Sequence, residues 1–360
     1  MIPSPRLAAS RALGTALFAL AALAAGCAKS SSPTAPGPTR SYFMGFTAIP
    51  PKADFSLQLQ TLDAWTPRAD AALILNEPPW DSLLAGTRAD SIVIRQQKGL
   101  GDYYRAKGLR IVVSLDPTNG LDRSSDSAPL VAAGRSLTEP AIQHLYRAYA
   151  VALDTIVRPD YFSVGSETNL VRAVAPPPLY AAEVQNAASA ASAIRAVDPN
   201  VKLFTTVQVE VAWGRLVPDS SFAGIVQDRT DFAFEDALGL SSYPYLAGFA
   251  DPDSLPSDYY TRLTLGAPIP LLKIEGGWSS TTVSSTVTSP DMQRRYIVRE
   301  GQMLQDAGAL AWFQITFTDL DLTSFPPSVA PFAYLGLVDV SLAAKPALAE
   351  WDAYFKRPRR

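Results

Sequence analysis

A (β/α)₈ barrel is the fold class predicted by three features of the sequence. Short apolar runs alternate with segments of helical period from residue 41 to the C-terminus, as in a parallel sheet wound with helices. Eight such strand–helix units fill residues 41–360, the count and size that close a barrel of this kind. Polar residues collect at the C-terminal ends of the runs, the end at which such barrels build their sites. An open doubly wound sheet is the alternative, but it calls for a glycine-rich phosphate loop after the first strand, and SYFMGFTAIPPK has none.

The strands are read in order as 41–49 (SYFMGFTAI), 71–76 (AALILN), 109–116 (LRIVVSLD), 161–167 (YFSVGSE), 201–210 (VKLFTTVQVE), 237–243 (ALGLSSY), 269–275 (IPLLKIE) and 309–317 (ALAWFQITF). Helices are expected at 55–65, 90–106, 139–157, 178–196, 220–228, 256–263, 290–307 and 345–356. Thr138 is placed as the N-cap of the third, with Glu139 and Pro140 following. No internal repeat or second domain is read in 41–360; the long segment 117–137 and the run Ala175-Pro-Pro-Pro178 are loops of the top face.

Residues 1–26 read as a signal peptide: Arg6 and Arg11 precede an apolar stretch from Ala12 to Ala25, too short for a spanning helix. Ala24-Ala25-Gly26-Cys27 resembles a bacterial lipobox, with Leu23 one place further back than the motif prefers. The resemblance implies acylation of Cys27, and Ala28 after it implies the outer membrane of a diderm bacterium. Residues 27–40 are then the lipid-bearing cysteine and a flexible Ser/Pro tether. Cys27 is the sole cysteine, so the barrel holds no disulfide. A net charge of −3 gives no basic field and argues against nucleic-acid binding, and a single histidine argues against most metal sites. No cofactor is expected.

Side chains alternate along a strand, so assigning the apolar set to the helix layer leaves a polar set inside the barrel. By this rule Lys273 and Glu275 point inward in LLKIE, with Leu272 and Ile274 outward. Ser163, Gly165 and Glu167 point inward in the fourth strand, Tyr243 in the sixth, and Trp312, Gln314 and Thr316 in the eighth. Asn76, Asp116 and Glu210 end the second, third and fifth strands on the same side. Glu167 and Glu275 therefore face one another across a barrel mouth, three units apart. Two carboxyls so placed suit glycosidic bond cleavage, one protonating the leaving oxygen and the other attacking the anomeric carbon.

The stretches FSVGSETN (162–169), GLSSYPYL (239–246), LLKIEGGWSS (271–280), AWFQITFTDLD (311–321) and YLGLVDVSLAAKPAL (334–348) resemble the retaining glycosidases of glycoside hydrolase clan A. SSYPY is most similar to the endo-β-1,4-galactanases, with mannanase-like and exo-β-1,3-glucanase-like members competing. The resemblance implies Glu167 as acid/base, Glu275 as nucleophile, Tyr243 as a hydrogen-bond donor to the nucleophile and Trp312 as part of a sugar platform. Trp278 is either a second stacking residue or a plug of the barrel top. Ser166 stands where the clan has Asn against the sugar 2-hydroxyl, and no histidine ends the third strand; His144 falls on a helix.

The implied partner is a carbohydrate, bound by Tyr243, Trp278, Trp312, Ser166, Asn76, Asp116 and Gln314. Lys273 either favours the ionised form of Glu275 or reaches another carboxylate such as Asp116. Glu77, Asp319, Asp321, Trp80 and Trp213 are top-face residues, either contacting sugar or serving ordinary solvation and packing. The alternative function is a catalytically inactive barrel lipoprotein that binds glycans.

Overall fold

A computed structural model describes residues 38–216, 221–283 and 285–360. Residues 1–37, on which the readings of a signal peptide, a lipid-bearing Cys27 and most of the tether fall, lie outside the described residues. Nine parallel strands are found: β1 (Phe43–Thr47), β2 (Ala71–Asn76), β3 (Arg110–Leu115), β4 (Tyr161–Ser163), β5 (Lys202–Phe204), β6 (Thr206–Gln208), β7 (Leu238–Ser242), β8 (Leu271–Gly276) and β9 (Ala311–Gln314). Their order is β5-β4-β3-β2-β1-β9-β8-β7-β6. Since β5 and β6 are one extended run broken only at Thr205, the two ends of that order are the same chain segment and the sheet closes on itself. The break has a local cause: both the Thr205 amide and its hydroxyl donate to Glu235 Oε1.

The outer helices form where apolar period and start signals agree. Pro140–Val157, Pro177–Val197, Pro290–Asp306 and Pro346–Phe355 each carry proline in the first turn, where a missing N–H costs nothing. Phe55–Trp65 is capped by Asp54, which accepts from the Leu57 amide. The third predicted helix starts one residue later than expected, with Glu139 rather than Thr138 at the N-cap. After β7 the expected helix at 256–263 is replaced by 3₁₀ turns, among them Thr261–Thr264.

Two apolar clusters hold the molecule together. A small one fills the barrel, from Phe43, Leu73, Val112, Phe204, Leu272, Ile274 and Phe313. A much larger one lies between sheet and helices and includes Met44, Ile74, Phe162, Leu240 and Trp312. Both faces of a covered parallel sheet are apolar, so the apolar set does not identify the outside. Two strands are consequently reversed from expectation: Leu272, Ile274 and Phe313 point inward, while Lys273, Trp312 and Gln314 face the helices.

Candidate active site

The mouth of the barrel is a cavity of about 270 Å³, bordered by Asn76, Glu77, Asp116, Arg123, Ser166 and Glu275, with Ser114 and Gly120 beside them. Its apolar surface comes from Leu75, Leu121 and Ile315; no aromatic side chain lines it.

Glu167 is not among the residues that border the cavity; it lies behind them, tied to Arg123, which does border it. β4 ends at Ser163, and Glu167 takes a left-handed conformation, φ 48° and ψ 43°, before the helix Thr168–Val174. For a non-glycine residue that conformation costs about 1–3 kcal/mol and persists only when its surroundings hold it. Here the Glu167 amide donates to Thr206 Oγ1 at 2.7 Å. Asn169 pins the same turn, donating to the Gln208 carbonyl at 2.9 Å and accepting from the Gln208 amide at 2.7 Å.

Glu275 does reach the mouth, by a different device. With Leu272 and Ile274 inside, strict alternation turns Glu275 toward the helices, yet the register with β7 skips Ile274, pairing Leu240 with Lys273 and Ser241 with Glu275. This bulge resets the parity and returns Glu275 to the cavity. Gly276 and Gly277 follow at φ 133° and 149°, and a Cβ on Gly276 would stand 2.0 Å from the Ser242 carbonyl oxygen. Only glycine lets the chain turn there.

The two carboxyls have unlike partners. Glu167 Oε2 accepts from Arg123 Nε at 3.1 Å, and the same guanidinium donates to Asp116 Oδ2 and, at 3.0 Å, to Thr118 Oγ1. Glu275 Oε1 accepts from the Tyr243 hydroxyl at 2.7 Å. Burial, then the charge of Glu167, push Glu275 up to about 7, against the Tyr243 hydrogen bond and the Arg123 charge. Glu77 is also raised, by burial and by Asp116. Among the described residues that border this cavity Arg123 is the one cation, and both of its acid partners are nearly buried.

Several expected residues arrive and several do not. Ser166 faces the cavity, its Oγ 3.4 Å from Ser114 Oγ, and Tyr243 and Asp116 lie where expected. Asn76 borders the cavity, but its Oδ1 accepts from Tyr149 on an outer helix. Trp312 is wholly buried among Tyr42, Trp351 and Tyr354 and donates to Glu300 Oε2 at 2.7 Å; Gln314 donates to the same oxygen. Neither is a sugar platform. Trp278 is the plug: it is buried against Tyr245 and Tyr296 and donates to Thr288 Oγ1.

Lys273 reaches neither Glu275 nor Asp116; it pairs with Glu300 at 3.2 Å behind the sheet. Glu210 sits in the helical turn Val209–Ala212, its carboxylate accepting from Ser242, Tyr243, Tyr259 and Gln208. Trp80 is buried, Trp213 stacks on Tyr259, Asp319 and Asp321 are held by Lys345 and Lys52, and His144 is exposed on its helix. Among the described residues no group of His, Cys, Asp and Glu is placed to hold a metal ion.

Arg123 and Thr118 were missed. The one available signal was a lone cation in the polar stretch after Asp116, DPTNGLDR.

No protein-family model matches the chain, and no curated protein matches it in sequence. Solved structures do share its fold. An exo-β-1,4-mannosidase from Opitutaceae bacterium strain TAV5 aligns over 88% of this chain and 60% of its own, with TM-score 0.66 and 17% identity. A GH53 catalytic domain from Ignisphaera aggregans aligns over 79% of this chain and 85% of its own, with TM-score 0.56 and 17% identity. A β-glucuronidase from Ruminococcus gnavus aligns over 89% and 51%, with TM-score 0.58 and 12% identity. The chain spans 60% of the mannosidase and about half of the glucuronidase. The likeness is one of fold, a closed barrel of parallel strands surrounded by helices.

Proposed function

We propose that this barrel is a retaining β-glycoside hydrolase in which Glu275 is the nucleophile and Glu167 the acid/base. What supports the reading is that Glu275 borders the cavity, that Glu167 is tied to the cavity-lining Arg123, and that each is set by its own backbone irregularity: a left-handed residue for Glu167, a bulge followed by two glycines for Glu275. Left-handed non-glycine residues of this kind collect at working sites.

In the first step Glu275 attacks the anomeric carbon while Glu167 gives its proton to the departing oxygen; in the second, Glu167 takes a proton from water and the glycosyl ester is hydrolysed. Tyr243 steadies the charge on Glu275. In the unliganded site burial and the neighbouring Glu167 raise Glu275, and Arg123 lies beside Glu167; the first step requires Glu275 ionised and Glu167 protonated. Arg123 remains held by Asp116 and Thr118 throughout.

A cavity of about 270 Å³ without aromatic platforms suits one or two sugar units rather than a long stacked chain. The test is trapping with 2-fluoro glycosyl fluorides of several sugars, read by intact mass and peptide mapping. An adduct on Glu275 is expected. No adduct, together with sugar binding by calorimetry, would favour the second reading, a glycan-binding barrel, for which Ser166 in place of Asn is the motive. Attachment to the outer membrane through acylated Cys27 completes the proposal; Cys27→Ser releasing the protein from membranes is its check.

A further inference from the structure

The chain is slightly acidic, yet several cations without a carboxylate partner among the described residues gather at the end of the barrel opposite the mouth. Two adjoining hollows of about 550 and 450 Å³ share Leu109, Arg110 and Asp160 at the N-terminal ends of the strands. Exposed Lys107, Arg158, Lys202 and Arg359 border them. The acids there are already engaged: Asp70 holds Arg40, Asp160 holds Arg110, and Asp198 accepts from the Asn200 and Val201 amides. Lys107, Arg158, Lys202 and Arg359 have no carboxylate partner of their own among the described residues; Lys107 lies over the Tyr103 ring.

The chain enters the barrel at this same end. The Arg40 backbone bridges to that of Arg359, and Cys27 lies ten intervening residues before Pro38 in the sequence. We propose that this basic end docks on a surface of anionic lipid headgroups, so that the mouth opens away from the bilayer. The orientation rests on the reading of Cys27 as the lipid-bearing residue; the chemistry, guanidinium and ammonium groups meeting lipid phosphates, does not.

A chain beginning at Ala28 keeps every strand and both apolar clusters and carries no lipid, so it tests the surface alone. It would be sedimented with vesicles of phosphatidylcholine, either pure or with about a third phosphatidylglycerol, at low salt and at about 0.5 M salt, where the screening length is a few Å. Binding is expected only to the anionic vesicles and only at low salt. Each cation near such a surface contributes about fivefold, so K107S/K202S/R359S should weaken binding about a hundredfold while its melting temperature stays close to that of the parent. Equal binding to neutral vesicles, or a triple variant that binds as well as the parent, would overturn the proposal. So would tighter binding to duplex DNA than to vesicles. Acylation of Cys27 is read separately by mass, so an unmodified cysteine would remove the anchor without bearing on the surface.

Discussion

Replacing Glu275 by Gln should stabilise the protein above neutrality while abolishing glycoside cleavage. The folded protein holds the Glu275 proton up to about pH 7, against an ordinary value of 4.5, chiefly because burial disfavours the charge and Glu167 repels it. Below pH 4.5 the group is protonated in both folded and unfolded chains and ionisation costs nothing. Between 4.5 and about 7 the unfolded chain gives up its proton while the folded one keeps it, so stability falls as pH rises. Above 7 the full penalty is present, about 3 kcal/mol for that interval.

Glutamine has nearly the same shape, still accepts from Tyr243 and cannot ionise. Urea unfolding of the two proteins at pH 4.5, 6, 7 and 8 reads Glu275 together with the Glu167 coupled to it, because the titrations of distant groups are common to both. The curves should coincide near pH 4.5 and separate to as much as about 3 kcal/mol in favour of the variant at pH 8. A difference independent of pH, or a wild type more stable at pH 8, would refute the argument. The expected outcome is a stability cost carried by a working site, recovered when the charge is removed.

Arg123→Met leaves Asp116 and Glu167 without their shared counter-charge and should cost about 3–5 kcal/mol at pH 7, shrinking as the carboxyls protonate toward pH 4; melts across that range are the check, and a constant deficit would count against it. Tyr243→Phe deletes a donor that lowers the Glu275 pKa, so the acid limb of kcat/KM should move to higher pH. Glu167→Ala should reduce cleavage of natural glycosides far more than that of activated aryl glycosides, and azide should partly restore it; equal loss on both classes would deny Glu167 the acid role. Trp312→Ala should lower stability by about 3–5 kcal/mol with little change in KM, since the indole touches helices and not the cavity.

The barrel was legible because it rests on local features. Strand runs such as AALILN and proline-headed helices such as 140–157 announce themselves through period and start signals alone. The missing helix after β7 was not legible: residues 256–263 carry an apolar pattern, but their aromatic side chains go into the barrel wall, as when the Tyr259 and Tyr260 hydroxyls reach Glu210 and Glu300. The site was legible in part. Glu275 was expected at the mouth by an inside-outside rule that fails for its strand, and it arrives there because the bulge at Ile274 shifts the parity once more.

What the sequence determined by itself was the set of eight extended runs, the fifth of them broken at Thr205 in the structure, and with it the closed barrel and the end on which polar residues gather. Those follow from hydrophobic period and from which residues end each strand. Which face of β8 and β9 is inside, whether Trp312 meets sugar or Trp351, and that Arg123 lies against Glu167 were decided only by the tertiary structure. Both faces of a covered parallel sheet are apolar, a bulge is invisible in composition, and an ion pair between a loop and a strand end 44 residues apart exists only once the barrel has closed. The same holds for charge: a net of −3 conceals a basic end that forms when residues 107, 158, 202 and 359 are carried to one rim.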